Sequence, residues 1–172
     1  MQRMASSPGP PDRVVPGPGQ ESVWDYPRPP RAEPSSRHVR VEFAGVPVAE
    51  SSRAVRVLET AGAPCWYLPS ADVRTDLLSN ANFRTTCEWK GIADHFDLVV
   101  GDRRARRAAW SYPHPLPAYE AIAGWIAFYA GRVDLVTVDG ERVRPQPGGY
   151  YGGWVTDDVV GPFKGEPGTE GW

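Results

Sequence analysis

Two short stretches place a lysine between an aromatic residue and a glycine: Glu88-Trp89-Lys90-Gly91 and Pro162-Phe163-Lys164-Gly165. They hold every lysine of the chain, because 17 of its 19 basic residues are arginine. A GC-rich coding bias explains the arginines, but an ammonium is also a compact charge whose pKa moves readily, unlike guanidinium. Gly91 allows close approach of a ligand. Lys90 therefore suits a carboxylate or phosphate, or service as a base once desolvated; the alternative is an exposed turn lysine. The same argument covers Lys164. Three positions before Lys90, Cys87 offers a thiol that becomes a nucleophile if Lys90 or His95 lowers its pKa. Against this stands the ordinary fate of a free cysteine, a small buried hydrophobe, which also describes Cys65 between Pro64 and Trp66. Glu59 closes the apolar run from Val55 and can project into a pocket or cap a strand edge.

Trp110-Ser111-Tyr112-Pro113-His114-Pro115 is the most distinctive patch. Its Trp and Tyr supply flat apolar walls with polar edges, suited equally to a small-molecule pocket and to a core beside a rigid turn. The spacing is echoed at Trp24 to Pro29. Asp94, His95 and Asp97 form a weaker acid–base candidate, for which a solvated surface is the simpler reading. Arg103, Arg104, Arg106 and Arg107 make the one basic cluster, read as a hairpin tip. Arg106 shares strand parity with Trp110 and Tyr112, which would turn it toward the same pocket as an anion partner. Trp89 and Tyr129 complete the expected aromatic lining.

The composition limits what these groups can serve. Net charge is −2 and the pI is near 5.9, which removes any general attraction to nucleic acid or an anionic membrane. Two cysteines cannot build a Cys-based structural zinc site, and His38, His95 and His114 lack ligand spacing, so no metal or cofactor is expected. The apolar run Ile122 to Ala130 is about half the length that spans a bilayer. The first residues lack an apolar signal stretch. A cytoplasmic protein with two free thiols is expected.

Nineteen prolines and 18 glycines in 172 residues disfavour a helical bundle and favour strands, turns and irregular arms. Residues 1–37 hold nine of the prolines and read as an extended arm, disordered before about residue 20. Trp24 and Tyr26 are costly to leave in water and should strap that arm onto the domain. Residues 38–144 carry the β pattern. Val39 to Phe43 alternates and returns through Val46 to Ala49; Ala54 to Leu58 pairs with Cys65 to Leu68. A short helix follows from Ala71 to Leu78, with Ser70 as cap. Thr85 to Trp89 puts Thr85, Cys87 and Trp89 on one face. Phe96 to Val100 and Ala105 to Tyr112 form the next hairpin. Ile122 to Tyr129, apolar on both faces, reads as a central strand, and Val133 to Val143 closes with a hairpin at Asp139-Gly140. Residues 145–172 are rich in Gly and Pro yet carry five Tyr, Trp and Phe, so this second arm should wrap the domain or a partner subunit.

The central stretch resembles the domain of unknown function 427 family. The match rests on Arg56-Val-Leu-Glu59, Trp66-Tyr-Leu-Pro69 with Asp72-Val73, Thr86-Cys-Glu-Trp-Lys-Gly-Ile-Ala93, Ala109-Trp-Ser-Tyr-Pro113 with Pro115, and Gly124 with Ile126 to Tyr129. It covers Val39 to Val138, and segments around Trp24 and Gly161 resemble extensions seen on members. The resemblance implies an all-β, small β-tent fold: two antiparallel sheets over a central pocket, one short helix, and extended arms. Methionine-R-sulfoxide reductases and zinc-holding domains share that fold, but their zinc cysteines are missing here. It implies no settled activity, and a fold does not supply one. A nucleotidyltransferase-like label attached to the family lacks support, because no Gly-Ser precedes a metal-binding Asp-x-Asp.

Three functions fit this reading. One is a cofactor-independent enzyme on a small anionic or aromatic metabolite, with Lys90, Cys87 and Glu59 as catalytic groups. Trp89, Arg106, Trp110, Tyr112, Tyr129 and Lys164 would then be its binding groups. Another is a non-catalytic binder with the same pocket. The third is an interaction protein, a homodimer joined through its arms.

Overall fold

Alternating side chains build this chain, and the computed structural model describes residues 12–172. Among them lie fifteen strands, numbered in chain order. Val39–Phe43 (β3) buries Val39, Val41 and Phe43 and leaves Arg40 and Glu42 half-buried on the other face. It pairs antiparallel with Val46–Ser51 (β4) and with Leu135–Val138 (β11), and Glu141–Arg142 (β12) forms the edge. A second sheet orders Arg31–Ser35 (β2), Ala54–Leu58 (β5) and Cys65–Tyr67 (β6). Every residue of β5 is buried, as a strand covered on both faces requires. The third sheet runs from Leu78–Cys87 (β7) through Gly91–Val100 (β8) and Arg103–Ser111 (β9) to Ala127–Phe128 (β10), all antiparallel.

The expected all-β architecture is present, with differences that matter for the site. The helix after Pro69 consists of two 3-10 turns, Ser70–Asp72 and Thr75–Leu77, and the Ser70 side chain does not cap it. Chain from Leu78 onward is instead strand, drawn into a long hairpin by pairing with β8. The supposed central strand from Ile122 is strand only at Ala127–Phe128, at its sheet's edge, because Pro117–Ile122 forms a 3-10 segment. Its apolar character on both faces has another cause: Ile126 bridges to Leu68, stitching the β6 end of one sheet to the β10 edge of the next. Part of the N-terminal arm, Arg31–Ser35, is a full strand.

Two apolar layers follow. The larger collects Val41, Val48, Leu98 and Phe128, with Trp66 stacked on Trp154 at 5.8 Å. The smaller sits between the β2-β5-β6 sheet and the β7–β10 sheet, around Val57, Tyr67, Ile122 and Ala127. Both arms pack on their own chain. Glu21–Ser22 (β1) pairs in parallel with Val159–Val160 (β15), and Val23 and Tyr26 are buried against Leu58 and Val159. Arg144–Pro145 (β13) pairs with Trp154–Val155 (β14). Arg56, whose side chain is 7% exposed, pins the N-terminal arm through Glu21 at 2.6 Å and Glu33 at 2.8 Å. Of the segment expected to be disordered, residues 1–11 lie outside the described residues; Val14 N–H donates to the Gly161 carbonyl. Among the described residues no helix is long and apolar enough to cross a membrane.

Candidate functional site

Strand alternation decides which side chains reach the space between these two sheets. On β7, Thr85 and Cys87 share the inner face; on β8 it is Ala93 and His95; on β9 it is Trp110, followed by Tyr112. Val57, Cys65 and Tyr67 face them from β5 and β6. Between the two sets lies a cavity of about 360 Å³, the size of a small-metabolite site. Its walls are aromatic: Trp110 Nε1 donates to Tyr67 Oη at 3.2 Å, and the Trp110 and Tyr129 rings lie 4.7 Å apart.

Lys90 occupies the turn between β7 and β8. Its side chain is directed inward, 9% exposed, with Nζ 5.6 Å from the Tyr112 ring centre. Burial works against its charge, but the acidic groups around it, Glu59 among them, outweigh burial and hold its pKa above the ordinary lysine value. That direction favours an anion-binding ammonium over a neutral base. The turn is braced from outside, since Leu116 N–H donates to the Lys90 carbonyl and Gly91, at φ 108°, lies against the His114–Leu116 backbone.

Glu59 lines the same cavity but is occupied. Its carboxylate lies 3.5 Å from Lys164 Nζ and 3.8 Å from Arg28 Nε. A carboxylate between two cations is a counter-ion more than an acid–base group. Lys164 also sits 4.6 Å from the Tyr151 ring centre. Both thiols are free and open on the cavity. Burial pushes the Cys65 thiol up, so it is a thiol at neutral pH. Trp89 also lines the space, at the hairpin turn.

Arg106 does not line it. Arg107 takes φ 48° in a bulge, and its N–H donates to the Asp97 carboxylate at 2.9 Å. The register slips by two residues here, with Phe96 opposite Ala109 and Leu98 opposite Ala105, which interrupts the alternation over Arg106 to Ala108 and leaves Arg106 exposed outside the cavity. The rest of the basic cluster is a solvated hairpin tip, with Arg103 paired to Asp134 and Arg104 to Asp97.

Several lining residues were not singled out from sequence as binding groups. Gln146, Tyr150, Tyr151 and Gly152 come from the C-terminal arm, which thereby forms a third wall. Their signal was the aromatic content of an otherwise Gly- and Pro-rich tail. Gly152 is there because of Trp110: a Cβ at that position would lie 2.1 Å from the indole. Thr85 was placed on the right strand face, but nothing local marks a threonine as a ligand group. His95, set aside as surface, is 4% exposed. Its Nε2 is 2.8 Å from Thr85 Oγ1, and its Nδ1 is buried with no hydrogen-bond partner among the described residues. No group of three or more His, Cys, Asp or Glu among the described residues is arranged to hold a metal ion.

A search of curated proteins found no match to the chain. A family model does match, over residues 31–139, from the start of β2 to the turn after β11. It spans both cavity-forming sheets and more than half of the chain, with Lys90, Cys87, Trp110 and Tyr112 inside it and the third wall outside it. The chain therefore belongs to the family described as a domain of unknown function, DUF427.

Proposed function

We propose that this chain takes up a small anionic metabolite with a flat apolar body and holds it between its two inner sheets. One observation carries the reading. Lys90 is a cation, nine-tenths buried, that opens on the cavity with no hydrogen-bond or ion-pair partner among the described residues. An unpaired buried charge is costly, and an incoming anion removes that cost through charge-assisted hydrogen bonds. Trp110, Tyr112 and Tyr129 offer ring faces to the body of the same ligand.

The thiols support a catalytic form of this reading. Cys87 lines the cavity near Lys90, so the bound molecule meets a nucleophile or acid–base group without a cofactor. The Glu59 carboxylate, held by Lys164 and Arg28, then sets the charge of the rim.

Native mass spectrometry, with the protein intact and then denatured, tests for a co-purified ligand. Calorimetry with a panel of aromatic carboxylates and phosphates then compares the native chain with Lys90→Met. Removing the charge should cost about 2 kcal/mol of binding or more, roughly a thirtyfold loss. Cys87→Ser should bind as before and lose turnover. Equal affinity in Lys90→Met would overturn the anion-binding reading.

A further inference from the structure

The hydrogen bonding of His95 has a consequence for what the cavity accepts. Burial first, then the nearby guanidinium groups of Arg107 and Arg132, push the His95 pKa below its ordinary value. The ring is therefore neutral at pH 7 and carries one proton. Two placements exist. If that proton is on Nδ1, a buried N–H has no acceptor, and Nε2 accepts from the Thr85 hydroxyl. If it is on Nε2, that N–H donates to Thr85 Oγ1 and Nδ1 keeps a bare lone pair.

The second placement is the favoured one. Orphaned buried N–H groups are rarer in proteins than under-satisfied acceptors, because losing a donor bond is the harsher penalty. Thr85 Oγ1 then acts as acceptor toward His95 and makes no other hydrogen bond among the described residues. Its own O–H is left to donate, and Thr85 lines the cavity.

Lys90 stands at the turn of the same hairpin, three residues past Cys87, and lines the same cavity with donors only. The charges beside it count closely. Lys164 is matched by Glu59, and Glu88 at the rim is exposed to solvent, so a single buried cation lacks a partner. We propose that Thr85 and Lys90 form a head-group site for the carboxylate of a small aryl or heteroaryl acid, with His95 as the positioning residue that fixes Thr85 as a donor. A carboxylate offers acceptors only and one negative charge, which fits two donors and one free cation. A phosphate dianion brings a second charge, for which the lining holds no second buried cation without an ion pair among the described residues. An alcohol can accept from the Thr85 hydroxyl but brings no charge to Lys90, and an ammonium head group brings a like charge.

This inference rests on the anion-binding reading, and the experiment separates the two. Benzoate, phenyl phosphate and benzyl alcohol are titrated by calorimetry into the full chain, Thr85→Val, Thr85→Ser and Lys90→Met. Imidazole nitrogen shifts of His95 are read by NMR in the free protein. Benzoate should bind best. Thr85→Val should weaken it about tenfold or more, the loss of one hydrogen bond to a charged group, and Thr85→Ser should restore it. His95 should show a protonated Nε2 and an unprotonated Nδ1. Benzoate binding that Lys90→Met abolishes but Thr85→Val leaves unchanged overturns the head-group site and keeps the anion reading. A proton on Nδ1, or phenyl phosphate bound more tightly than benzoate, overturns it as well. No binding by any of the three probes removes both.

Discussion

Replacing Trp154 by alanine should unfold the third wall of the cavity together with part of the core. The indole is 1% exposed, stacks on Trp66 at 5.8 Å, and donates from Nε1 to the Phe128 carbonyl at 2.8 Å. Truncating a buried Trp costs about 3–5 kcal/mol from lost burial and the cavity left behind. The orphaned Phe128 carbonyl adds about 1 kcal/mol or more if water does not reach it. Against a total stability of roughly 5–15 kcal/mol, this is a large fraction. At about 2–4 °C per kcal/mol for a chain of this size, the melting temperature should fall by roughly 8–24 °C. Thr156 to Lys164 would lose their anchor, so limited proteolysis should begin cutting beyond Pro145. Trp154→Phe keeps a stacked ring but forfeits the donor and part of the indole's buried volume, at a cost of about 1–3 kcal/mol. Thermal and urea unfolding, followed by near-UV circular dichroism, measure all three. A Trp154→Ala protein that melts within about 2 °C of the native chain would show that the C-terminal arm lies outside the cooperative core. The account of the third wall would then fail.

Further outcomes follow from charges and close contacts. Arg56 is buried while Glu21 and Glu33 are each 39% exposed, so Arg56→Met leaves carboxylates that rehydrate, at a cost of about 1 kcal/mol. The double change Glu21→Ala with Glu33→Ala strands a buried guanidinium and should cost about 3 kcal/mol or more in urea unfolding. The Arg56 hydrogen bond lowers the Glu33 pKa, as Arg53 does for Asp72. Groups with depressed folded values stabilise the fold above their ordinary values, 4.5 and 3.8, and lose that contribution as pH falls through the folded ones. Acid titration of stability should therefore steepen below about pH 4, and less so in Arg56→Met. Finally, Gly152→Ala forces a Cβ to 2.1 Å from the Trp110 indole. It should cost about 1–3 kcal/mol and change Trp fluorescence together with the affinity for benzoate. A silent Gly152→Ala would show that the arm is not seated on Trp110.

Local pattern carried much of this protein. Alternation at Val39 to Phe43, the turn glycines and the paired runs 54–58 and 65–68 could be read directly, because a half-buried strand imposes period two on its side chains. The inward parity of Thr85 and Cys87, the scarcity of lysine and the aromatic patch at Trp110 likewise led to eight of the nine expected site residues that line one cavity. What went wrong locally was non-local in origin. Leu78 to Asn80 became strand through pairing with β8, overriding its turn-like composition. Ile122 to Trp125 became a 3-10 segment and turn although its apolar residues suited a strand. Arg106 left the site because β9 bulges by two residues around Arg107, whose N–H donates to Asp97.

The β class, most strand faces and the identity of the groups able to do chemistry depend on neighbours a few residues away, and local pattern is enough to read them. Which groups meet, and in what electrical state, is settled by packing between distant segments. It leaves Lys90 unpaired, gives Glu59 to Lys164, and places His95 against Thr85. It also brings residues 146–164 across the opening as a wall. The physical reason is that charge balance and burial are properties of a point in space. The groups that set them at Lys90 come from four different segments of the chain.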